Sequence, residues 1–288
     1  AATSTLARSR QRKLDKMDVI ELAKEKPKPS FEFRYSRAPG KVVIRGTDLV
    51  LGYDSALTKP VNFEVERGQK IAIKGVNGLG KSTLLNLITR LYDVGEGQVL
   101  IDGVDIRDIA MADLRGLVAL VSQETYIFMG TVAENIAYAC PDATPADIVN
   151  AAKAACAHDF IMKLPDGYDT VIGTAGRQLS GGERQRLSIA RAVLVNPKIL
   201  MLDEATAAVD TETEMNIQTA LEELIKGRTT LSVAHRLSTL RDADELIVIE
   251  NGKVAEQGTH DELMAKEGIY FKLAEIQRKA LEYRGIGG

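Results

Sequence analysis

The sequence predicts an α/β fold, with a parallel core sheet between layers of helices. Short β-rich segments alternate with longer amphipathic segments from about Lys41 onward, which is the pattern of a parallel sheet connected by helices. The segment Ile199–Leu202 is also apolar at every position. A strand of that kind is buried on both faces, as happens when helices cover both sides of a sheet.

Changes in the hydrophobic pattern place the individual elements. Strands are expected at Val61–Val65, Gln69–Lys74, Gln98–Ile101, Lys198–Leu202, Thr229–Val233 and Glu245–Glu250. Helices are expected at Lys81–Tyr92, Pro145–Ala155, Gly181–Val195 and Thr211–Lys226. Gly227 follows the last of these helices, and glycine readily adopts the left-handed conformation that ends a helix.

The composition is that of a globular protein. Of the 288 residues, 45% are apolar and 27% are charged, so the chain can bury a large core. This excludes a wholly disordered chain, a collagen-like fibre and a disulfide scaffold. No apolar run reaches the length of about 18 residues that spans a membrane, and the polar, basic N-terminus predicts no secretory signal. We expect Cys140 and Cys156 to be free thiols in the cytoplasm.

Residues 1–40 are predicted to form a basic arm that precedes a domain over residues 41–288. The first 30 residues contain eight Lys or Arg and four Asp or Glu, although the whole chain has a net charge of −3. Proline disfavours helix at the residue before it, so the run Lys26-Pro-Lys-Pro-Ser30 marks an exposed boundary. Two interpretations stay open: a solvated charged helix or linker, and an arm that binds nucleic acid or another protein.

The run Gly75-Val-Asn-Gly-Leu-Gly-Lys-Ser-Thr83 matches the pattern of a phosphate-binding loop, between a predicted strand and a predicted helix. Glycines let successive N–H groups point at phosphate oxygens, and the N-terminus of the helix adds positive potential. We expect Lys81 to reach the β and γ phosphates and the Ser82 hydroxyl to bind Mg²⁺. The candidate nucleotide-binding residues here are Gly75, Asn77, Gly78, Gly80, Lys81, Ser82 and Thr83.

Two adjacent carboxylates, Asp203 and Glu204, end the predicted strand that begins at Lys198. Because side chains alternate along a strand, neighbouring carboxylates point in different directions and can take different roles. We expect Asp203 to hold Mg²⁺ and Glu204 to polarise the attacking water as a general base. An acidic pair at a strand end is common, so its meaning depends on the phosphate-binding loop.

The run Leu179-Ser-Gly-Gly-Glu-Arg-Gln-Arg-Leu-Ser-Ile-Ala-Arg191 resembles the signature motif of ATP-binding cassette (ABC) ATPases. Ser180, Gly181 and Gly182 open a predicted helix, whose first N–H groups and dipole attract an anion. In that family the motif engages the γ-phosphate held by the phosphate loop of a partner subunit. The resemblance therefore implies a head-to-tail dimer of two cassettes with two ATP molecules at the interface.

Four further residues match motifs of the same family. Gln123 resembles the glutamine of the Q-loop, near Mg²⁺, and Asp210 resembles the aspartate of the D-loop. His235 resembles the switch histidine that senses the γ-phosphate, with a structural histidine as the alternative. Tyr53, 22 residues before Gly75, resembles the aromatic residue that stacks on adenine, with a core tyrosine as the alternative.

The resemblance covers residues 41 to about 280 and has two sources. From about residue 90 onward the sequence is similar to ABC exporters, as in Gly130-Thr-Val-Ala-Glu-Asn-Ile136. Residues 1–88 are similar to an ABC-F protein, in which a basic segment links two cassettes and the context is the ribosome. We therefore hypothesise a chimera joined between about Leu84 and Arg90, with a divergent exporter cassette as the alternative.

The resemblance implies an α/β cassette of the P-loop NTPase type, with an antiparallel β portion near the front and a helical insert over about residues 105–190. It also implies Mg²⁺-dependent ATP binding and hydrolysis. The expected catalytic residues are Lys81, Gln123, Glu204 and His235. The expected Mg²⁺ ligands are Ser82, Gln123 and Asp203.

The partners implied by the resemblance are a second cassette and the membrane domain of an exporter, at the cytoplasmic face of the membrane. That membrane domain would carry the contacts to a transported substrate. Two alternatives stay open. One is an ABC-F type ATPase that binds the ribosome or RNA through residues 1–30, and the other is a chimera with no physiological partner.

Overall fold

The structure of the protein, a computed structural model, describes residues 40–52, 57–75, 81–122, 125–174, 176–203, 211–233, 240–251 and 253–283. For residues 211–212 and 280–283 it describes the backbone alone. Residues 40–288 belong to one compact unit. The predicted basic arm lies outside the described residues, except for Gly40.

A central six-stranded sheet confirms the predicted parallel core. In spatial order its strands are β12 (Lys253–Gly258), β11 (Glu245–Glu250), β3 (Lys70–Gly75), β10 (Thr229–Val233), β9 (Ile199–Asp203) and β6 (Val118–Val121). All neighbours are parallel except β11 and β12. Val233 at the end of β10 pairs with Ile73 of β3 on one side and with Asp203 of β9 on the other. The carboxyl ends of these strands therefore meet at one edge of the sheet.

A second sheet supplies the antiparallel portion expected near the front of the domain. Its spatial order is β2 (Val61–Glu66), β1 (Val42–Leu49), β4 (Gln98–Ile101) and β5 (Val104–Asp105). Ile44 of β1 lies between Val65 and Ile101 of its two neighbours, and all three side chains are buried. Apolar cross-strand contacts of this kind hold an antiparallel sheet together and fix its register.

Nine α-helices are described besides one short 3₁₀ turn. They are α1 (Lys81–Ile88), α2 (Met111–Leu117), α3 (Val132–Ala137), α4 (Pro145–Ala154), α5 (His158–Ile161), α6 (Gly181–Val195), α7 (Thr211–Ile225), α8 (His260–Ala265) and α9 (Ile269–Tyr283). Strand β9 feeds cores on both of its faces because its side chains alternate. Met201 packs in the core that includes Leu85 of α1, and Leu202 packs in the core that includes Leu187 of α6 and Leu221 of α7.

Helices α3 to α6 form a region of their own, together with the short strands β7 (Gly130–Thr131) and β8 (Val171–Ile172). Helix α6 packs on α3, α4 and α7 and on β6 of the central sheet. It thus joins this helical region to the edge of the sheet. No helix in the described ranges is both long and apolar enough to cross a membrane.

The predicted helix Lys81–Tyr92 is wrong at its C-terminal end, because α1 ends at Ile88. Arg90 has a positive φ of 53°, which no α-helix allows, and its Nη1 donates to the carbonyls of Ile106 and Ile109 at 3.2 Å each. The other predicted elements agree with the structure to within one residue at each end. Gly227 has the expected left-handed conformation, with φ of 71°.

Candidate functional site

The strand β3 delivers the chain to the predicted phosphate-binding loop, and α1 begins where that loop ends. Residues 76–80, with Asn77, Gly78 and Gly80, lie outside the described residues. Gly75 is described, and a Cβ there would lie 2.4 Å from the carbonyl oxygen of Ile249 on β11. Only glycine fits so close an approach of two strands at the start of the loop.

Lys81 opens α1 with its side chain folded back toward the start of the loop. Its Nζ donates to the carbonyl of Gly75 at 2.7 Å, and the residue is only 6% exposed. Thr83 is also buried, at 5% exposure. The ammonium therefore sits at the junction of β3, the loop and α1, where the positive end of a helix adds to its potential.

Ser82 and Asp203 are brought together from distant parts of the sequence. The Ser82 hydroxyl donates to Oδ1 of Asp203 at 3.2 Å, at a solvent-accessible place beside the loop. A hydroxyl and a carboxylate are hard oxygen donors, which is the ligand type that Mg²⁺ prefers. The pair therefore fits the metal expected from the sequence.

Three further predicted residues, Gln123, Glu204 and His235, follow β6, β9 and β10, which are consecutive strands of the central sheet. Strand β6 ends at Val121, two residues before Gln123, and β10 ends at Val233, two residues before His235. Gln123, Glu204, Asp210, His235 and Tyr53 themselves lie outside the described residues. Their roles stay predictions. The shared edge at which β6, β9 and β10 end supports those of Gln123, Glu204 and His235, whereas Tyr53 follows β1 of the other sheet.

Ser180 is the N-cap of α6 and lies in a capping box. Its backbone N–H donates to Oε2 of Glu183 at 2.7 Å, while its hydroxyl accepts from the N–H of Glu183 at 3.2 Å. Gly181 is exposed and Gly182 is buried. Within the described part of the chain, the bonds of these residues stay inside α6 and do not reach Lys81 or Asp203.

Sequence reasoning missed an exposed group near the Q-loop, which we call the aromatic patch: Tyr126, Met129 and Tyr138. These side chains are 71%, 69% and 60% exposed. Phe128 stacks on Tyr138, with ring centroids 4.0 Å apart. Beside the patch lies a groove of about 370 Å³, lined among others by Val118, Leu120, Ala192 and Val195. The apolar run Tyr126–Met129, outside any predicted strand or helix, was the available signal.

A partly buried cation holds the backbone of this patch in place. The guanidinium of Arg191, on α6, donates to the carbonyl of Tyr126 and to the carbonyl of Asn135 on α3. Burial lowers the pKa of the Arg191 side chain from its usual value. The Cζ atom of Arg191 lies 5.4 Å from the centre of the Phe128 ring. The patch is therefore anchored to α6, the helix whose N-cap is Ser180.

A comparison with family profiles matches residues 58–207, just over half of the chain, to the family described as ABC transporter. Among curated proteins, the chain is 51% identical over 243 residues to an ATP-dependent lipid A-core flippase of Syntrophus aciditrophicus (strain SB). That match covers 84% of this chain but 40% of the flippase. The chain thus spans well under half the length of this relative.

Among solved structures, the chain is similar to a bacterial Atm1-family ABC exporter with ATP bound. The TM-score is 0.77 at 40% sequence identity, over 94% of this chain and 46% of that one. A match of 243 residues is longer than the part of the chain after residue 88, so the similarity to exporter relatives crosses the hypothesised join. These comparisons favour the exporter cassette, and they give no support to the chimera, the ABC-F resemblance or a ribosome partner.

Proposed function

Because the chain belongs to the ABC transporter family of ATP-binding domains, we propose that it is the energy-coupling nucleotide-binding domain of an exporter. The domain binds and hydrolyses ATP with Mg²⁺, as its family does. We propose residues 41–288 as the cassette and residues 1–40 as a separate arm. The transport role is the proposal, because the chain covers less than half of its exporter relatives.

The contact between Ser82 and Asp203 carries the proposed nucleotide site. Together with Gln123, these residues would hold the Mg²⁺ that accompanies ATP, and the metal would neutralise phosphate charge. Lys81 would bind the phosphates, helped by the backbone of Gly75 and of the loop that follows it. A buried ammonium at a helix N-terminus is suited to this, because both attract the same anion.

Glu204 is proposed as the general base, since it directly follows Asp203 at the end of β9. His235 would contact the γ-phosphate from the adjacent strand end, and Tyr53 would stack on the adenine. These three assignments rest on the sequence motifs. Those of Glu204 and His235 agree with the shared strand edge that the register of β9, β10 and β3 creates.

A second cassette is the proposed partner in the chemical step. Ser180, Gly181 and Gly182 would close on the nucleotide held by that partner, with Asp210 at the same interface. Two observations support this arrangement: α6 presents its start to solvent, and its bonds in the described residues do not involve the phosphate site of its own chain. One complete site then needs both subunits.

The aromatic patch is the proposed docking place of the membrane domain, at the cytoplasmic face of the membrane. Three large apolar side chains at 60–71% exposure beside an apolar groove mark an interaction surface. The remaining length of the exporter relatives supplies an occupant of the right kind. Tyr126 also lies three residues after Gln123, which is proposed to hold Mg²⁺. The proposed docking place and the proposed metal site are therefore neighbours along the chain.

Complementation between two inactive chains tests the shared site. Chains with Lys81→Ala lack the phosphate lysine, and chains with Ser180→Arg block the signature, so each homodimer should be inactive. Mixing them leaves one of the two sites intact, and ATPase activity should exceed that of either chain alone. The control mixes Lys81→Ala chains with chains that carry both substitutions, which leaves no intact site. Activity no higher in the first mixture than in the control would refute the proposal.

A further inference from the structure

Three nitrogens of the Arg191 guanidinium donate hydrogen bonds to two separate segments of the chain. Nη1 donates to the carbonyl of Tyr126 at 2.7 Å, Nε donates to the carbonyl of Asn135 at 2.7 Å, and Nη2 donates to Oδ1 of Asn135 at 2.7 Å. The planar fork of arginine allows these three directions at once, whereas a lysine ammonium at the end of a flexible stem does not. All three bonds form only when the two segments hold this relative position, so Arg191 fixes that position.

Asn135 completes the connection from the opposite side. It is 1% exposed, and its Oδ1 also accepts from the N–H of Phe128 at 3.0 Å. Its Nδ2 donates to the carbonyls of Phe128 and Thr131, at 3.0 and 2.9 Å. One buried amide therefore binds the backbone of the 126–131 segment at Phe128 and at Thr131, and its oxygen also accepts from Arg191.

The position of this network gives it a mechanical meaning. Arg191 lies eleven residues after Ser180 on the same helix, which is about 16 Å along the axis of α6. A packed helix is one of the rigid elements that carry a displacement from one site to another. At the other end, Tyr126 and Met129 belong to the aromatic patch, and Phe128 supports Tyr138 by stacking.

We propose that Arg191 is a positioning residue that joins the 126–131 segment to α6, so that the aromatic patch and the signature serine move as one body. The inference deepens the proposed function, on which it rests, by naming the link between the docking surface and Ser180. A displacement of Tyr126 would pull on the guanidinium through the short bond to its carbonyl. The same displacement would then reach the interface where the second cassette is expected.

Arg228 provides a matched control within the same chain. It is another partly buried arginine whose pKa burial lowers, and it also makes three bonds, to the carbonyls of Pro197 and Leu224 and to Oδ1 of Asn196. These partners lie at the ends of α6 and α7, and none of them belongs to the 126–131 segment. Arg228→Lys should therefore destabilise the fold as Arg191→Lys does, without loosening the patch.

Amide hydrogen exchange on the nucleotide-free chain tests the joint directly. Arg191→Lys should speed exchange of the peptide that contains residues 126–131 by about tenfold, since bonds to a charged donor are lost where lysine cannot reproduce the fork. Arg228→Lys should leave this peptide within about twofold of the unsubstituted chain, as distant local openings are separate events. Equal exchange of the peptide in the Arg191→Lys and unsubstituted chains would overturn the proposal.

Kinetics separate positioning from general destabilisation. Arg191→Lys should lower kcat for ATP by about tenfold while the Kd of a fluorescent ATP analogue stays within about twofold, because Ser180 acts on the partner's nucleotide. An equal fall in kcat for Arg228→Lys, at equal loss of thermal stability, would overturn the positioning role. A chain that binds no ATP would contradict the proposed function instead, and the exchange experiment would still decide the joint.

Discussion

The hydroxyl of Ser82 lies 3.2 Å from Oδ1 of Asp203, although 121 positions separate the two residues in the sequence. The first turn of α1 and the end of β9 meet here because β9 and β3 flank β10 in the same parallel sheet. In an octahedral Mg²⁺ site with ligands at about 2.1 Å, neighbouring oxygens lie about 3 Å apart. The observed spacing would therefore let both oxygens hold one Mg²⁺ ion at the proposed site.

Asp203→Asn should weaken ATP binding only when Mg²⁺ is present. The amide keeps the shape of the side chain but loses the charge that holds the metal, so the Kd for ATP with Mg²⁺ should rise about tenfold or more. Titrations with a fluorescent ATP analogue, with Mg²⁺ and with EDTA, measure both affinities. Asp244→Asn is the control, because Asp244 lies at the opposite edge, where it accepts from the N–H of Lys70. An equal loss in EDTA would contradict a metal role.

Lys81→Met should weaken nucleotide binding in both conditions. Methionine keeps the buried apolar stem and removes the ammonium, so the Kd should rise by about 10- to 100-fold, the size of a lost charge-assisted bond. Isothermal titration with ATP measures the change. Lys226→Met serves as the control, since it removes the same charge from an exposed residue that pairs with Glu223. An unchanged affinity for Lys81→Met would remove this lysine from the site.

The sequence predicted those elements whose signals are local. Ile199–Leu202 is apolar throughout and forms a strand buried on both faces, and the glycine pattern placed Lys81 at the start of a helix. Predicting the end of that helix failed, because the turn at Arg90 depends on the carbonyls of Ile106 and Ile109 further along the chain. No local pattern encodes such a partner.

Long-range side-chain contacts were out of reach for the same reason. Glu256 on β12 accepts from the N–H groups of Ile269 and Tyr270 at 2.7 and 2.9 Å, and so caps α9 from thirteen residues away. The pair of Arg191 and Asn135, 56 positions apart, is of the same kind. At the candidate site, motif spacing predicted the residue types, while the distance between Ser82 and Asp203 required the folded sheet.

Glu204→Gln should separate binding from chemistry. The amide preserves the shape of the side chain but cannot take a proton from water, so kcat should fall by about 10²- to 10⁴-fold while ATP affinity is retained. Steady-state phosphate release and equilibrium binding measure the two quantities. The substituted chain should also accumulate an ATP-bound dimer on size-exclusion chromatography. Turnover at the unsubstituted rate would reject Glu204 as the base.

Two exposed carboxylates, Asp147 and Glu262, accept hydrogen bonds at the starts of α4 and α8, and these bonds favour the charged form of each carboxyl. Asp147 accepts from the hydroxyl and the N–H of Thr144 at 2.6 and 3.0 Å, and the hydroxyl bond, more than the backbone bond, lowers the pKa of its carboxyl. Glu262 accepts from the N–H of Thr259 at 2.8 Å, and this backbone bond lowers its pKa in the same way. Both are stabilised as anions in the folded chain.

The lowered pKa values predict a loss of stability in acid that these two residues share. A carboxyl whose pKa is lower in the folded than in the unfolded chain adds stability above its unfolded pKa, near 4, and loses it as the pH falls through its folded pKa. Replacing both by amides, Asp147→Asn with Glu262→Gln, should therefore lower Tm at pH 7, and the Tm difference from the unsubstituted chain should shrink as the pH falls from about 4 to about 2. Thermal unfolding followed by circular dichroism between these pH values measures the difference.

The control is Glu222→Gln, which removes a carboxylate from the exposed side of α7 rather than from a helix start. This substitution should leave the Tm difference from the unsubstituted chain small at neutral pH. A Tm difference between the double variant and the unsubstituted chain that grows toward low pH would have the wrong sign and would contradict the assignment.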